Sequence, residues 1–164
     1  MQVGQTWLLR GRTDLGREFQ AELTLGPYPA EERRELEEGF KGMVGATQIT
    51  AAFTGTQRGQ EPARLVLLLT RRNGRELVMA MPHPSSLGST VLDPADELSF
   101  CFLLPGDNRS QLEGVSLRLR AEGETYSITG TVGGRGDERE EVLATLRDAL
   151  SPVFGVGDCT LTRR

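Results

Sequence analysis

The sequence predicts an α+β domain in which a mostly antiparallel sheet of about eight to nine strands packs against two amphipathic helices. Three observations predict this fold class. Several short segments alternate apolar and polar residues, two longer segments repeat apolar residues at helical spacing, and two segments are apolar on consecutive residues. A chain of 164 residues, 37% of them hydrophobic, is long enough for one core, so we expect residues 1–164 to form a single domain.

The first part of the chain predicts a hairpin and a helix. The segments 6–12 (TWLLRGR) and 17–25 (REFQAELTL) have strand character and are separated by a turn at Asp14–Gly16. Pro29 and the glutamates that follow it suit a helix N-terminus, and apolar residues recur at helical spacing beyond them. We therefore predict two paired strands and then a helix over Ala30–Met43.

The centre of the chain predicts strands that are buried on both faces. After a strand at 47–55, two segments flank Asn73-Gly74, a dipeptide typical of a tight hairpin. In these segments Leu65–Leu69 and Leu77–Met81 are apolar on consecutive residues, unlike a strand with one wet face. Such strands need cover on both sides, and the two helices are the predicted cover.

The last part of the chain predicts further strands around a second helix. The predicted strands are 98–104, 114–121, 125–132 and 158–162, with a helix over Asp137–Leu150 before the last one. The strand at 114–121 alternates cleanly, with Val115, Leu117 and Leu119 on one face and Ser116, Arg118 and Arg120 on the other. We expect the arginine-bearing face to be solvated.

The order of elements also resembles that of lipocalin-type barrels. Gly4 and Trp7 stand at the start of the first strand, and a run of strands, a late helix and a final short strand follow. The resemblance implies a closed barrel with a C-terminal helix and a small apolar ligand inside it. The spacing of Gly4 and Trp7 differs from that family's pattern, and a helix interrupts after the second strand. We keep this barrel as the alternative fold, because the doubly apolar strands argue for a helix-covered sheet and a barrel's outside is expected to be wet.

The glycine-rich stretch 131–140 (TVGGRGDERE) stands between a predicted strand and the second helix, where proteins often bind phosphate. Here the helix begins with carboxylates, which repel an anion. Asp137 can itself accept hydrogen bonds from the helix-end N–H groups, and Glu140 three residues later completes a capping box. We interpret the stretch as a joint with a helix cap, and we expect no cofactor.

Few residues point to catalysis or to a metal. His83 is the only histidine and lies between two prolines, where the nearby serines cannot be oriented onto it. Cys101 and Cys159 are too few for a disulfide scaffold, so we interpret them as two buried thiols that pack as small hydrophobes. They do not make a typical zinc site with one histidine, and we predict no metal. An enzyme using carboxylates or a tyrosine such as Tyr126 would leave no spacing pattern.

Charge and composition limit the partners. With 23 acidic and 19 basic residues the net charge is −4, so there is no general attraction to nucleic acid or to an anionic membrane, and we expect neither as a partner. No basic start followed by an apolar run opens the chain, and we expect a cytoplasmic protein. If the strands that carry them are neighbours, a group of arginines would form one basic patch, our candidate binding surface. These are Arg10, Arg12, Arg71, Arg72, Arg75, Arg118 and Arg120.

Three classes of function follow. The leading hypothesis is a non-enzymatic binding or assembly module that acts through protein–protein contacts, with a protein partner or self-association. It rests on the lack of a recognisable nucleophile, base or metal set, and on apolar strand faces that a partner chain could cover. The alternative is a carrier of a small apolar ligand of the lipocalin-like type. A further alternative is an enzyme whose site is not visible in the sequence.

Overall fold

A computed structural model describes residues 1–43, 48–57, 64–72, 75–82, 99–106, 110–119, 139–152 and 154–164. These residues form eight strands and two helices. In chain order they are β1 (Thr6–Arg12), β2 (Glu18–Pro27), α1 (Ala30–Met43), β3 (Gln48–Gln57), β4 (Arg64–Arg72), β5 (Arg75–Pro82), β6 (Ser99–Pro105), β7 (Gln111–Leu119), α2 (Arg139–Leu150) and β8 (Phe154–Arg163).

The eight described strands form one closed antiparallel barrel. Each strand pairs with the next along the chain, and β8 also pairs with β1, which closes the sheet on itself. The closing ladder extends from Trp7 opposite Arg163 to Arg12 opposite Asp158. The prediction of a mostly antiparallel sheet is confirmed. The prediction of a helix-covered α+β sheet is wrong, and the barrel that we kept as the alternative is the observed fold.

Apolar side chains from all eight strands pack together in the barrel interior. Most of the large ones are at most 1% exposed, among them Trp7, Leu9, Leu23, Leu67, Leu103 and Leu161, whereas Phe53 is 8% exposed. Removing a side chain of this size from water stabilises the fold by about 1.5–3 kcal/mol. An eight-stranded barrel has an interior just wide enough for side chains to fill or to hold one small ligand, and here the main apolar core of the domain lies in that interior.

Strands β4 and β5 are buried on both faces, as predicted. Leu65 and Leu67 face the interior, whereas Val66 and Leu68 lie on the outer surface and are 0% exposed. The predicted cover was wrong because the rest of the barrel already covers the inner face, and only the outer face needs another layer. On that outer face β3, β4 and β5 share an apolar cluster with Tyr28, so the barrel's outside is not wet here.

Both predicted helices are confirmed, the first with its predicted bounds. Arg33 of α1 donates a hydrogen bond from Nη2 to the backbone oxygen of Ile49 at 3.4 Å, which places this helix beside the first residues of β3. Helix α2 packs its buried residues Val142, Leu146 and Leu150 on the outside of the barrel. Neither helix in the described ranges is long and apolar enough to cross a membrane.

The alternation of apolar and polar residues in β7 was predicted correctly, but the polar face does not lie on the solvated outside as expected. Val115 and Leu117 face outward and are buried beneath α2. Ser116 and Arg118 therefore lie on the inner face, where a solvated face was expected for them. The reason is that an apolar strand face indicates burial, but it does not show whether the face lies in the barrel interior or beneath a helix.

Cys101 in β6 and Cys159 in β8 form a disulfide inside the barrel. Their predicted burial is confirmed, since they are 0% and 1% exposed, but the prediction of two thiols is wrong. Alternation places both side chains on the inner face. Because β6 and β8 both pair with β7, the two cysteines lie one strand apart, with their Cα atoms separated by 6.1 Å, although the residues are 58 positions apart in the chain.

Candidate functional site

An ion pair largely shielded from solvent lies at the end of the barrel where β1 finishes and β8 begins, which we call the upper end. Arg118 donates from Nε and Nη2 to the two carboxylate oxygens of Asp14, both at 2.8 Å. The two side chains are only 14% and 20% exposed, although Asp14 belongs to an exposed turn. A two-pronged pair with little access to water is held more strongly than an exposed pair.

The turn between β1 and β2 positions Asp14. Gly16 has a φ of 77°, a left-handed conformation that suits glycine, and its N–H donates to the backbone oxygen of Thr13 at 3.0 Å. The Thr13 hydroxyl accepts a bond from the backbone N–H of Arg17 at 3.2 Å. Thr13 is 5% exposed. The turn predicted at Asp14–Gly16 is therefore confirmed.

Two glycines of β8 allow this turn to reach β7. A Cβ atom at Gly155 would overlap the Asp14 carboxylate, and a Cβ atom at Gly157 would overlap the backbone carbonyl of Arg12. Ser116 donates from Oγ to that same carbonyl oxygen at 2.8 Å. The end of β1 is therefore joined to β7 by polar contacts across β8, because β8 places no side chain between them.

The N-terminal residues lie against the opposite, lower end of the barrel. The N–H of Gly4, whose φ is 86°, donates to the backbone oxygen of Leu25 at 2.8 Å, and Leu25 donates to that of Gln5 at 2.9 Å. The side chain of Gln5 accepts a bond from Trp7 Nε1 at 3.3 Å. Met1 packs against the interior cluster. A segment outside the strands thus lies against each end of the barrel: the turn between β1 and β2 at the upper end, and the N-terminal residues at the lower end.

Apart from buried Leu8 and from Phe154 and Val156, which belong to the cluster beneath α2, the outer surface of β1, β2 and β8 is polar, and we call this polar part the polar wall. It consists of Arg10, Arg12, Glu18, Gln20, Glu22, Thr24, Asp158, Thr160 and Thr162. Arg10 donates to the side-chain oxygen of Gln20, and Arg12 pairs with Glu18, both at 2.9 Å. Asp158 accepts a bond from Arg147 of α2. The polar wall is therefore a surface of mixed charge.

The structure does not gather the predicted arginines on one surface. Arg10 and Arg12 belong to the polar wall, and β8 separates them from Arg118 at the upper end. Arg71 lies towards the lower end of β4 and pairs with Glu76 at 2.9 Å. Arg72 and Arg75 are opposite each other in the β4–β5 register, and Arg120 lies outside the described residues. Binding by these residues stays a prediction.

Other residues named from the sequence lie outside the described ranges. They include the capping residue Asp137, His83 and Tyr126, the Asn73-Gly74 dipeptide and the whole predicted strand 125–132. The helix cap therefore stays a prediction, as does the enzyme alternative that used Tyr126. Within the described ranges, no group of three His, Cys, Asp or Glu residues is placed to hold a metal ion.

One tyrosine has a shifted pKa. The pKa of Tyr28 is raised above its usual 10.0, first by burial and then by the carboxylates of Glu32 and Glu35 on α1. The shift keeps the phenol protonated at neutral pH and gives it no special reactivity there.

Sequence reasoning missed the contact between the upper turn and β7. A signal for it was present: Gly155 and Gly157 are two residues apart, so both fall on one face of a strand. Glycines on a strand face often mark the close approach of another backbone. Their partner could not be read from the chain, because Asp14 and Arg118 are 104 positions apart.

Comparison with protein-family models, with curated proteins and with solved structures finds no match. The resemblance to lipocalin-type barrels is therefore limited to the sequence features named above and to the closed order of the strands. The function has to be argued from the surfaces and the interior described above.

Proposed function

We propose that the chain is a non-enzymatic binding or assembly module that acts through protein–protein contacts made by the polar wall. The observation that carries this proposal is the apolar interior: buried side chains from every described strand, Trp7 and several leucines among them, pack together where a ligand would bind. We infer that these side chains occupy the interior, so that the outer surface is the place where the molecule meets its partner.

The polar wall is the best-suited outer surface of the described strands. Apolar clusters, buried or partly buried, occupy much of the outer faces of β3 to β5 and of β6 and β7. In contrast, Arg10, Arg12, Glu18 and Asp158 are exposed. Because each described strand is paired on both sides, a partner has to contact side chains and cannot extend the sheet.

The charges of the polar wall favour a second copy of the same chain. Arg12 lies between Glu18 of β2 and Asp158 of β8, and Arg10 lies beside it between Gln20 and Thr160. In a two-fold dimer the same surface meets itself, so each arginine can face a carboxylate of the other copy. A wall of a single charge sign would instead repel its copy.

Sedimentation velocity tests the proposal with a charge-reversed wall. We expect the natural chain to form a dimer that weakens as salt is added, and the double variant Arg10→Glu/Arg12→Glu to stay monomeric with an unchanged circular dichroism spectrum. Exposed pairs such as Arg12–Glu18 contribute at most about 1 kcal/mol to folding, so the variant should fold.

Arg71→Glu is the matched control for this experiment. Arg71 is also an exposed strand arginine paired with a cross-strand glutamate, but it lies on β4, away from the wall. It should dimerise like the natural chain. A monomeric natural chain at every soluble concentration, or equal loss of dimer in the control, would refute the proposal.

The ligand carrier is the second candidate, and barrel closure around an apolar interior is what favours it. The chain has one tryptophan, Trp7, and it faces that interior. Titration with a long-chain fatty acid should leave Trp7 fluorescence unchanged if the interior is filled. A saturable change would favour the carrier over the assembly module.

A further inference from the structure

The interior disulfide connects the strand that closes the barrel to a strand that is not its neighbour. Cys159 lies on β8, which pairs with both β1 and β7, and Cys101 lies on β6. A bond from β6 to β8 therefore bridges β7 and fixes the closing strand covalently. Among the described residues there is no other cysteine.

The sequence of β7 suits this bridge. Cys159 is opposite Gly114 in the register of β7 and β8, so β7 presents no side chain beside it. Gly114 is also closely packed, because a Cβ atom there would overlap the backbone oxygen of Phe102 in β6. The glycine thus lets β6 and β8 approach each other closely on the inner face.

We propose that the Cys101–Cys159 disulfide is a permanent structural bond, formed while the chain folds in a thiol-oxidising compartment. In its formation one cysteine thiolate attacks the disulfide of a thiol–disulfide oxidoreductase and forms a mixed disulfide. The second cysteine then attacks the first sulfur and releases the oxidoreductase as a dithiol. The chain loses two electrons and two protons, and the oxidoreductase gains them.

Burial makes the bond permanent. With 0% and 1% exposure, the two sulfur-bearing residues are out of reach of a reductant while the barrel is closed. Exchange needs direct access to a sulfur atom, so reduction has to wait until β6 or β8 separates from the barrel. This property distinguishes a structural bond from an exposed regulatory one.

The proposal replaces our expectation of a cytoplasmic protein. Structural disulfides form and persist in oxidising compartments and are rare where thiol reductants are maintained. We therefore infer that the native form of this chain, with its closing strand covalently fixed, is produced in an oxidising compartment. The inference does not depend on the proposed assembly function.

Thiol trapping tests the proposal on the natural chain. The protein is produced once in an oxidising secretory compartment and once in a reducing cytosol, quenched in acid, and alkylated with N-ethylmaleimide under denaturing conditions. Intact mass should show no adduct on the first sample and two on the second, and the second sample should unfold at a lower urea concentration. Two adducts on folded protein from the oxidising compartment, or equal urea midpoints, would overturn the proposal.

Reduction of the purified oxidised protein tests whether burial protects the disulfide from a reductant. In native buffer, tris(2-carboxyethyl)phosphine should leave the bond intact, and reduction should begin only at urea concentrations that unfold the chain. The variant Cys101→Ala/Cys159→Ala should have the same urea midpoint as the reduced natural chain. If that variant does not fold, the thiol-trapping experiment on the natural chain still tests the proposal. Rapid reduction in native buffer would overturn the proposal.

Discussion

At Gly157 the lack of a side chain allows two segments to meet across a strand. The backbone oxygen of Arg12 occupies the space that a Cβ atom would need, and Ser116 donates its hydroxyl hydrogen to that oxygen. Ser116 is 1% exposed, so its hydroxyl needs a partner inside the protein. One residue without a side chain thus allows a buried hydrogen bond at the upper end.

The first prediction concerns Gly157→Ala. The added methyl group overlaps a backbone atom, which cannot move without displacing β1, so we expect a loss of about 2–4 kcal/mol in the free energy of unfolding. Urea denaturation measures it. Gly26→Ala is the control, because a Cβ atom there comes closest, at 2.7 Å, to the Thr54 hydroxyl, a side-chain atom that can rotate away. Equal losses for both variants would contradict the proposed contact.

The second prediction concerns the Asp14–Arg118 pair. A double-mutant cycle with Asp14→Asn and Arg118→Gln should give a coupling energy of about 1–2 kcal/mol, because both charges are largely shielded. The exposed pair Arg12–Glu18, with side chains 60% and 75% exposed, is the matched control and should give less than about 1 kcal/mol. A shielded pair that couples no more strongly than the exposed pair would be inconsistent with the structure.

At the scale of elements, helix α2 decides which face of β7 is the outer one. Val115 and Leu117 would suit the barrel interior equally well, and the sequence alone offered no way to choose. The helix makes the outer face apolar, which leaves Ser116 and Arg118 to point inward towards the upper turn. Alternation in a strand therefore predicts that one face is buried. The position of the strand in the fold determines whether the barrel interior or a helix covers that face.

The third prediction tests the packing of α2. Leu146→Ala should cost about 3 kcal/mol of unfolding free energy, because Leu146 is 1% exposed between the helix and β7 and its removal leaves a cavity. Leu143→Ala, at a partly buried position of the same helix, should cost less. Urea midpoints of the two variants provide the comparison. A larger loss at Leu143 would mean that α2 is rotated about its axis.

The fourth prediction uses the raised pKa of Tyr28 to test the position of α1. Above pH 10 the unfolded tyrosine loses its proton before the folded one, so folding stability should fall as pH rises through this range. Glu32→Gln/Glu35→Gln should lower the pKa of Tyr28 but leave it above 10.0, since burial is the larger cause. The pKa of Tyr28 is measured from phenolate absorbance in a Tyr126→Phe background, which removes the other tyrosine. Glu31→Gln is the control and should leave this pKa unchanged. An unchanged pKa in the double variant would place α1 elsewhere.

At the scale of the whole molecule, local sequence patterns predicted the helices and strands, but they did not predict that the sheet closes into a barrel. The predicted bounds of α1 and the hairpin of β4 and β5 follow from spacing and turn residues within a few positions. The ladder between β1 and β8 joins the two ends of the chain, and no local pattern encodes it. The Asp14–Arg118 pair depends on that closure, and the disulfide depends on the order β6, β7, β8 within the sheet, so neither could be predicted from local patterns.

The central claim is that the barrel interior is filled by the chain itself and that the outer surface meets the partner. Native mass spectrometry of the purified protein, followed by the same measurement under denaturing conditions, tests it most directly. We expect a dimer whose mass is twice that of the denatured chain, with no additional mass from a small molecule. A monomer that carries a small molecule, released only on denaturation, would contradict the claim and favour the ligand carrier.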